Sequence, residues 1–214
     1  MKNLIQINFQ NIKNVAIRVD FNVPINDSFQ ITDNTRLIRA KDTIDFVSKN
    51  ESKILLLSHF GRPKESFDEK FSFKNLIDQF SNILGYEIQL LPYEEFLQNG
   101  LQQFKKGTNK ITLLDNIRFF EGEKKNDKSF SQSITNELDL FINEAFSASH
   151  RSHASVNQMA KNILSAPGLN FSKEVTAIND IKNSTKRKLA IIGGSKVSTK
   201  IKTLLSLTQS CSNI

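Results

Sequence analysis

Short apolar runs alternate with amphipathic segments along most of the chain. Runs of β-branched residues and leucine predict strands, which we place at 15–19, 53–57, 87–91, 111–114 and 138–142. Apolar residues at helical spacing predict helices, which we place at 35–49, 73–84, 93–104, 156–164 and 171–182. Continuous apolar strands alternating with helices predict an α/β fold: a Rossmann-like parallel sheet with helices on both faces, in three α/β/α layers.

The pattern also predicts a domain boundary. Pro167 and the glycine after it interrupt the helical spacing. We therefore predict a first domain over 1–170, a hinge helix and linker over 171–187, and the start of a second domain over 188–214. This last segment offers one predicted strand, 188–192, and one helix, which cannot bury their apolar faces against each other alone. It either docks on the first domain or belongs to a larger domain.

Composition excludes several classes of protein. The 214 residues are 38% hydrophobic and 24% charged, which excludes a disordered tail, a collagen-like fibre and a membrane bundle. Cys211 is the one cysteine, so no internal disulfide can form. The first ten residues lack the apolar core of a signal peptide. We expect a cytoplasmic protein without a membrane partner.

The net charge of +7 is concentrated at one end of the chain. Residues 1–180 carry 22 basic and 22 acidic side chains, whereas residues 181–214 carry seven basic and no acidic ones. A basic tail that binds nucleic acid is one interpretation. The other, which the motifs below favour, is that the segment belongs to a domain whose acidic parts lie elsewhere.

Candidate chemistry gathers where the predicted strands end. Ligands of open parallel α/β sheets bind beyond the carboxyl ends of the strands. The polar residues found there are Asp20, Asn22, His59, Arg62, Asn116, Arg118, His150, Arg151 and His153, and Arg36 opens the helix after the first strand. Guanidinium groups match carboxylates and phosphates, so four arginines without clustered acids imply a small, multiply charged anion. Singly, each arginine or histidine is better explained as a surface or structural residue, and no spacing predicts a metal site.

A second signal follows the strand predicted at 188–192. Gly193 and Gly194 precede a helix that carries Lys196 and Lys200 on one face. Glycines allow close approach to a ligand, and free N–H groups at a helix start attract phosphate. The Walker A order is absent, and a plain turn before a basic helix explains the spacing equally well.

Six segments together resemble the phosphoglycerate kinase family. In chain order they are RVDFNVP at 18–24, ITDNTR at 31–36, SHFGRP at 58–63, LLDNIRF at 113–119, INEAFSASHRSH at 142–153 and GGSKVSTK at 193–200. Their order and separation make the resemblance far more specific than any one segment. Three positions depart from the family's usual residues: Asp115 stands where Glu is frequent, Glu144 where Asp is usual, and Ser147 where Gly is common.

The resemblance implies two α/β domains joined by a hinge, one for 3-phosphoglycerate or 1,3-bisphosphoglycerate and one for ADP or ATP with Mg²⁺. It implies that the substrate contacts are Asp20, Phe21, Asn22, Arg36, His59, Phe60, Gly61, Arg62, Arg118 and Arg151. It further implies catalytic roles for Arg36, Lys196 and Lys200, and nucleotide contacts from Gly193, Gly194 and Lys200.

Much of the family's nucleotide domain has no counterpart in this sequence, so we expect the chain alone to be inactive or weakly active. The resemblance implies a monomer with no nucleic-acid partner. The alternative from another class is a non-catalytic anion-binding module whose basic tail binds nucleic acid.

Overall fold

The computed structural model of the protein describes residues 3–64, 66–191, 201, 205 and 207. Its strands are β1 (Asn14–Arg18), β2 (Lys53–Leu57), β3 (Ile88–Leu91), β4 (Ile111–Leu114), β5 (Leu140–Asn143) and β6 (Ser165–Pro167). Its α-helices are α1 (Thr35–Lys49), α2 (Ile77–Leu84), α3 (Tyr93–Asn99), α4 (Gln102–Lys106), α5 (Glu121–Lys124), α6 (Lys128–Thr135), α7 (Met159–Asn162) and α8 (Leu169–Asn183). Short 3₁₀ turns lie at Leu4–Gln6, Glu69–Phe71, Phe73–Asn75, Ile117–Phe119 and Phe146–Ala148.

The six strands form one parallel sheet in the order β3-β4-β2-β1-β5-β6. β1 lies inside the sheet between β2 and β5, with Arg18 in register with Leu57 and Asn143. Because every strand runs the same way, the loops that follow the strands all begin at one edge of the sheet. The predicted parallel α/β fold is confirmed, and this edge is where the candidate site must form.

Alternating side chains of the central strands enter two different cores. Ile54 and Leu56 of β2 belong to one buried cluster, which α1 and α2 cover, and Leu55 and Leu57 belong to another beneath the later helices. All four side chains are fully buried. Burial of a leucine or isoleucine side chain contributes roughly 1.5–3 kcal/mol. A sheet buried on both faces explains both the continuous apolar strands and the three layers.

Several predicted elements have different limits in the structure. The helix predicted at 93–104 is divided into α3 and α4 because Gly100 adopts a φ of 57°. The helix predicted at 156–164 is reduced to α7, after which the chain extends into β6. β6 was not predicted because Pro167 weakens its strand pattern. The strand pairs only with β5, at the edge of the sheet, where proline is tolerated.

The chain divides into two compact units, Met1–Ser172 and Lys173–Ile214. The second unit begins within α8 and contains the end of that helix. Residues 184–191 form no regular strand, and Leu189 makes only an isolated bridge where a strand was predicted. The hinge assigned to 171–187 remains a prediction. Within the described residues, no helix combines the length and the apolar character that a membrane crossing requires.

A buried carboxylate fixes the start of α8. Oε2 of Glu144 accepts a hydrogen bond from Thr43 Oγ1 at 2.7 Å, and Oε1 accepts from the backbone N–H of Asn170 at 3.0 Å. Thr43 Oγ1 in turn accepts from the N–H of Leu169 at 2.9 Å. These bonds satisfy two of the free N–H groups at the helix start. Gly168 leaves room for the carboxylate, since a Cβ there would lie 1.6 Å from Glu144 Oε2.

We predict that Gly168→Ala lowers the free energy of unfolding by about 2 kcal/mol or more, because the new methyl group displaces a buried hydrogen-bonded carboxylate. Urea unfolding at pH 7 measures the loss. The matched control is a pair, Glu144→Ala alone and Glu144→Ala with Gly168→Ala. When the Glu144 carboxylate is absent, the methyl group that Gly168→Ala adds should not lower the free energy of unfolding any further. Additive losses in the double variant would contradict the clash.

Candidate functional site

Asn116 holds together two of the loops that form the carboxyl edge of the sheet. Its Oδ1 accepts from the backbone N–H of Phe60 at 3.1 Å, and its Nδ2 donates to the carbonyls of Phe60 at 2.6 Å and Phe71 at 3.0 Å. The same Oδ1 accepts from the N–H of Arg118 at 3.1 Å. The chain after β2 and the chain after β4 are therefore fixed against each other by one buried amide.

Gly61 continues this framework towards the site. Its N–H donates to Asn22 Oδ1 at 2.8 Å, and its carbonyl accepts from Arg118 NH1. Its φ is 57°, and a Cβ would lie 2.3 Å from the ring of Phe71, so only glycine fits. Asn22, Gly61 and Arg118, all predicted as site residues, are thus linked by hydrogen bonds across three loops.

Three predicted arginines line one cleft of about 320 Å³. Arg62, Arg118 and Arg151 meet there with Pro63, Lys124 and His153. Lys124 Nζ donates to the carbonyl of Pro63 at 3.3 Å. Among the described residues, none of the three arginines lies within ion-pair distance of a carboxylate. The cleft therefore concentrates positive charge that the described part of the chain leaves uncompensated.

Arg118 is the most confined cation of this cleft, with 7% of its surface exposed. Burial and the positive charges of Arg151, Arg18 and Arg62 lower its pKa to about 10, against the opposing effect of Glu123. It still carries its charge at neutral pH. A buried guanidinium surrounded by like charges is held at a cost in free energy, which a bound anion would relieve.

Asp20 and Arg36 form a second part of the edge. Arg36 NH1 makes an ion pair with Asp20 Oδ2, and the same oxygen accepts from Ser147 Oγ at 2.5 Å. Burial alone would raise the pKa of Asp20, but the hydrogen bond from Ser147 and the bond and charge of Arg36 hold it below its ordinary value. The Arg36 side chain is 45% exposed. The carboxylate is ionised and balances the charge of this exposed arginine.

His59 lies next to these groups and is neutral. Burial, then the positive charges of Arg18 and Arg118, lower its pKa to about 3. Arg18 NH2 lies 3.1 Å from His59 Nδ1. His59 is therefore an uncharged hydrogen-bonding group within a cationic edge. His153 Nδ1 lies 3.5 Å from Glu123 Oε1, so this histidine connects the loop after β5 to α5.

The structure places two predicted contacts differently from the rest. Phe21 is fully buried and packs 5.2 Å from Phe80 between ring centroids, and Phe60 is 5% exposed and packs against Phe71 and Phe73. Both rings belong to the core rather than to a wall of the site, so only their backbones remain available. Gly193, Gly194, Lys196 and Lys200 lie outside the described residues.

Sequence reasoning missed three groups that the structure brings to the site. Lys124 lines the cleft, and Arg18 and Glu123 are buried behind it. Lys124 could have been predicted from its place in the sequence, because it lies on the short helix that follows the turn carrying Arg118. The sequence position of Arg18 fits either a structural or a surface charge, and its exposure of 1% makes it a structural one.

A parallel α/β domain with clustered guanidinium groups at the carboxyl edge of its sheet is typical of α/β proteins that bind anionic ligands. Among the described residues, no group of three or more His, Cys, Asp and Glu side chains is arranged to hold a metal ion. The family model described as phosphoglycerate kinase matches residues 4–214. The chain belongs to the phosphoglycerate kinase family.

Individual relatives agree with this assignment. The chain is 40% identical over 200 residues to the phosphoglycerate kinase of a Wolbachia from Drosophila simulans, covering 92% of this chain and 49% of the relative. It is 39% identical over 208 residues to that of Prochlorococcus marinus, covering 94% and 51%. The solved phosphoglycerate kinase of Coxiella burnetii has a TM-score of 0.82 at 31% identity, covering 98% of this chain and 52% of the other. The chain thus spans about half the length of these relatives.

We predict that Ser147→Ala raises the pKa of Asp20 towards its ordinary value of about 3.9, because a hydrogen bond to the charged form is lost. A depressed carboxyl pKa contributes stability above its unfolded value, and the contribution is lost as the pH falls through the folded value. The variant should therefore be less stable than wild type by about 1 kcal/mol at pH 7 and should approach it as Asp20 protonates. Carboxyl titration by NMR and urea unfolding at several pH values measure both effects.

The control for this prediction is Ser133→Ala, which removes a serine hydroxyl that donates to the carbonyl of Phe130, outside the carboxyl edge. It should leave the titration of Asp20 unchanged. An Asp20 titration that Ser147→Ala also leaves unchanged would show that the ion pair with Arg36 alone sets the pKa.

Proposed function

We propose that the first unit binds 3-phosphoglycerate or 1,3-bisphosphoglycerate and forms the substrate half of a cytoplasmic phosphoglycerate kinase. The reaction is the reversible transfer of a phosphoryl group from 1,3-bisphosphoglycerate to ADP, a step of glycolysis. One observation carries the proposal: Arg118 is buried among other cations in a cleft where the described residues supply no paired carboxylate. A small molecule with several negative charges relieves that arrangement.

The two parts of the edge suit different groups of such a ligand. Arg62, Arg118 and Arg151 present guanidinium donors to an anionic group in the cleft. Asp20 is an ionised acceptor that suits a hydroxyl group, and Arg36 lies beside it with an accessible guanidinium. A three-carbon acid phosphate carries a phosphate, a hydroxyl and a carboxylate, one for each kind of group.

The chemistry fits a site without a general base. The nucleophile in the direction of ATP use is a carboxylate oxygen, which is already ionised at pH 7 because its pKa lies near 4. The oxygen bonds to the transferred phosphorus as the bond to ADP breaks, so no proton moves. The protein has to align the partners and to stabilise charge on the three equatorial oxygens. Arg36 is the described residue to which we assign that charge stabilisation.

The nucleotide side of the proposal rests on the family. The motif residues Lys196 and Lys200 would meet the transferred phosphoryl group and the nucleotide phosphates, and Gly193 and Gly194 would allow close approach of the backbone. Mg²⁺ bound to the nucleotide would supply further charge neutralisation. Phosphoryl transfer also requires the substrate and nucleotide sites to close on each other and exclude water, which a hinge at 171–187 would permit.

We predict that the 214-residue chain binds 3-phosphoglycerate in calorimetry and that Arg118→Met weakens binding at least tenfold, since a buried charge-assisted contact is worth about 1.5–3 kcal/mol. Arg39→Met is the matched control because Arg39 is an exposed arginine of α1 that does not line the cleft. It should change binding less than threefold. Wild-type protein that is folded by circular dichroism yet binds no 3-phosphoglycerate would overturn the proposed function, and equal losses in both variants would reduce it to general charge attraction.

A further inference from the structure

Behind the cleft, four side chains form a continuous buried hydrogen-bond chain. Glu123 Oε1 accepts from Ser155 Oγ at 2.7 Å, and Oε2 accepts from the backbone N–H of Ser155 at 2.8 Å. Ser155 Oγ accepts from Arg18 Nε at 2.9 Å, and Arg18 NH2 reaches His59 Nδ1 at 3.1 Å. Glu123, Ser155 and Arg18 are each at most 1% exposed. This series of hydrogen bonds therefore connects α5 to the loop after β2 through the protein interior.

Arg18 is held from several directions and has no access to a ligand. Its NH1 also donates to the carbonyl of Val19. Burial lowers its pKa, and the charges of Glu123 and Asp20 act in the opposite direction. A guanidinium is always a donor and remains charged in proteins. Its position is thus fixed by the fold, and the group whose protonation depends on this contact is the ring of His59.

This contact determines the tautomer of His59. A guanidinium cannot accept a hydrogen bond, so Nδ1 of a histidine that it contacts must be the acceptor, and the ring proton must lie on Nε2. Among the described residues, no hydrogen-bond partner faces Nε2, and this nitrogen is not one of the enclosed polar atoms without a partner. Nε2 is therefore a donor with access to solvent at the carboxyl edge.

We propose that Arg18 is a positioning residue that locks His59 as a neutral Nε2–H donor for the bound anion, with Glu123 and Ser155 fixing Arg18 in turn. The role for the anion rests on the proposed function; the tautomer does not. Arg18 makes the ring accept at Nδ1, and its charge prevents a second proton from binding. Without it, His59 would be free to take either tautomer or to become a cation.

Charged groups from three parts of the chain face His59, and each of them shifts its pKa. Arg18 belongs to β1 and Asp20 to the loop after it, Arg118 lies in the turn after β4, and Arg151 lies in the loop after β5. Asp20 raises the pKa of His59, whereas the three arginines and burial lower it to about 3. Loss of Arg18 removes both the cation in contact with the ring and its hydrogen bond, and so should move the titration upward.

The test is ¹⁵N NMR of histidine side chains in the full 214-residue chain without ligand. The protein has three histidines, so the signals of His59 are identified by their loss in His59→Gln. In wild type we expect an unprotonated Nδ1 and a protonated Nε2 that do not change between pH 8 and pH 5. In Arg18→Met we expect mixed tautomers and a titration that enters this range. Ile17→Ala, a buried truncation in the same strand, should leave the His59 signals as in wild type.

Arg18→Met leaves Glu123 without its nearby cation and is at risk of misfolding, so the second variant is Arg18→Met with Glu123→Gln, which removes both charges. Unchanged His59 signals in either folded variant would overturn the proposal. If neither folds, wild type alone decides: a proton on Nδ1, or a His59 that is charged at pH 6, would overturn it.

Binding of 3-phosphoglycerate by calorimetry separates this proposal from the function on which it rests. Gln places an N–H near the position of Nε2, so His59→Gln should bind within about threefold of wild type, and His59→Ala and Arg18→Met about tenfold more weakly. Unaltered binding in Arg18→Met beside weakened binding in His59→Ala would refute the positioning role. Wild type with the expected tautomer but no binding would refute the proposed function and leave the tautomer assignment standing.

Discussion

The structure depends on holding several guanidinium groups together where few carboxylates neutralise them. Arg18 and Arg118 are both buried, and Arg62 and Arg151 face the same cleft as Arg118. Like charges at such separations repel, and the repulsion grows as water is excluded. The cluster persists because neutral groups fix the backbone around it: Asn116 ties two loops together, and apolar side chains on both faces of the sheet supply the free energy that offsets the repulsion.

The inner and outer sides of this cluster differ in how their charge is balanced. On the inner side, Arg18 is connected to Glu123 through Ser155, and no surface remains for a ligand. Towards the cleft, Arg118 uses NH1 for the carbonyl of Gly61, and no side chain or backbone group among the described residues takes its other guanidinium donors. Because the charge of Arg18 is balanced on the inner side and that of Arg118 is not balanced towards the cleft, the positive electrostatic potential is directed into the cleft. The network therefore explains both why the edge is rigid and why it is suited to an anion.

Sequence reasoning succeeded where one local rule decides the structure and failed where a distant partner does. β2 and β4 have the predicted bounds because uninterrupted apolar runs have no alternative to burial in a sheet. The grouping of His59, Arg62, Arg118 and Arg151 could be predicted as well, because the carboxyl ends of parallel strands lie at one edge of the sheet. The burial of Arg18 could not be predicted, because it depends on a carboxylate far along the chain and no local pattern reveals that pairing. The core positions of Phe21 and Phe60 likewise follow from tertiary packing.

Asp20 is an acidic residue among the arginines of the carboxyl edge, and it makes the two parts of that edge differ in net charge. Its carboxylate balances the charge of the exposed Arg36, while Arg118 in the cleft has no such partner among the described residues. An incoming anion would therefore meet an arginine without a paired carboxylate at Arg118 and a paired one at Arg36. The more highly charged end of the ligand should bind in the cleft, because its charge gains most there. Under the proposed function, Arg36 would then lie beside the less charged end, where it could exchange part of its contact with Asp20 for charge that develops only during the reaction.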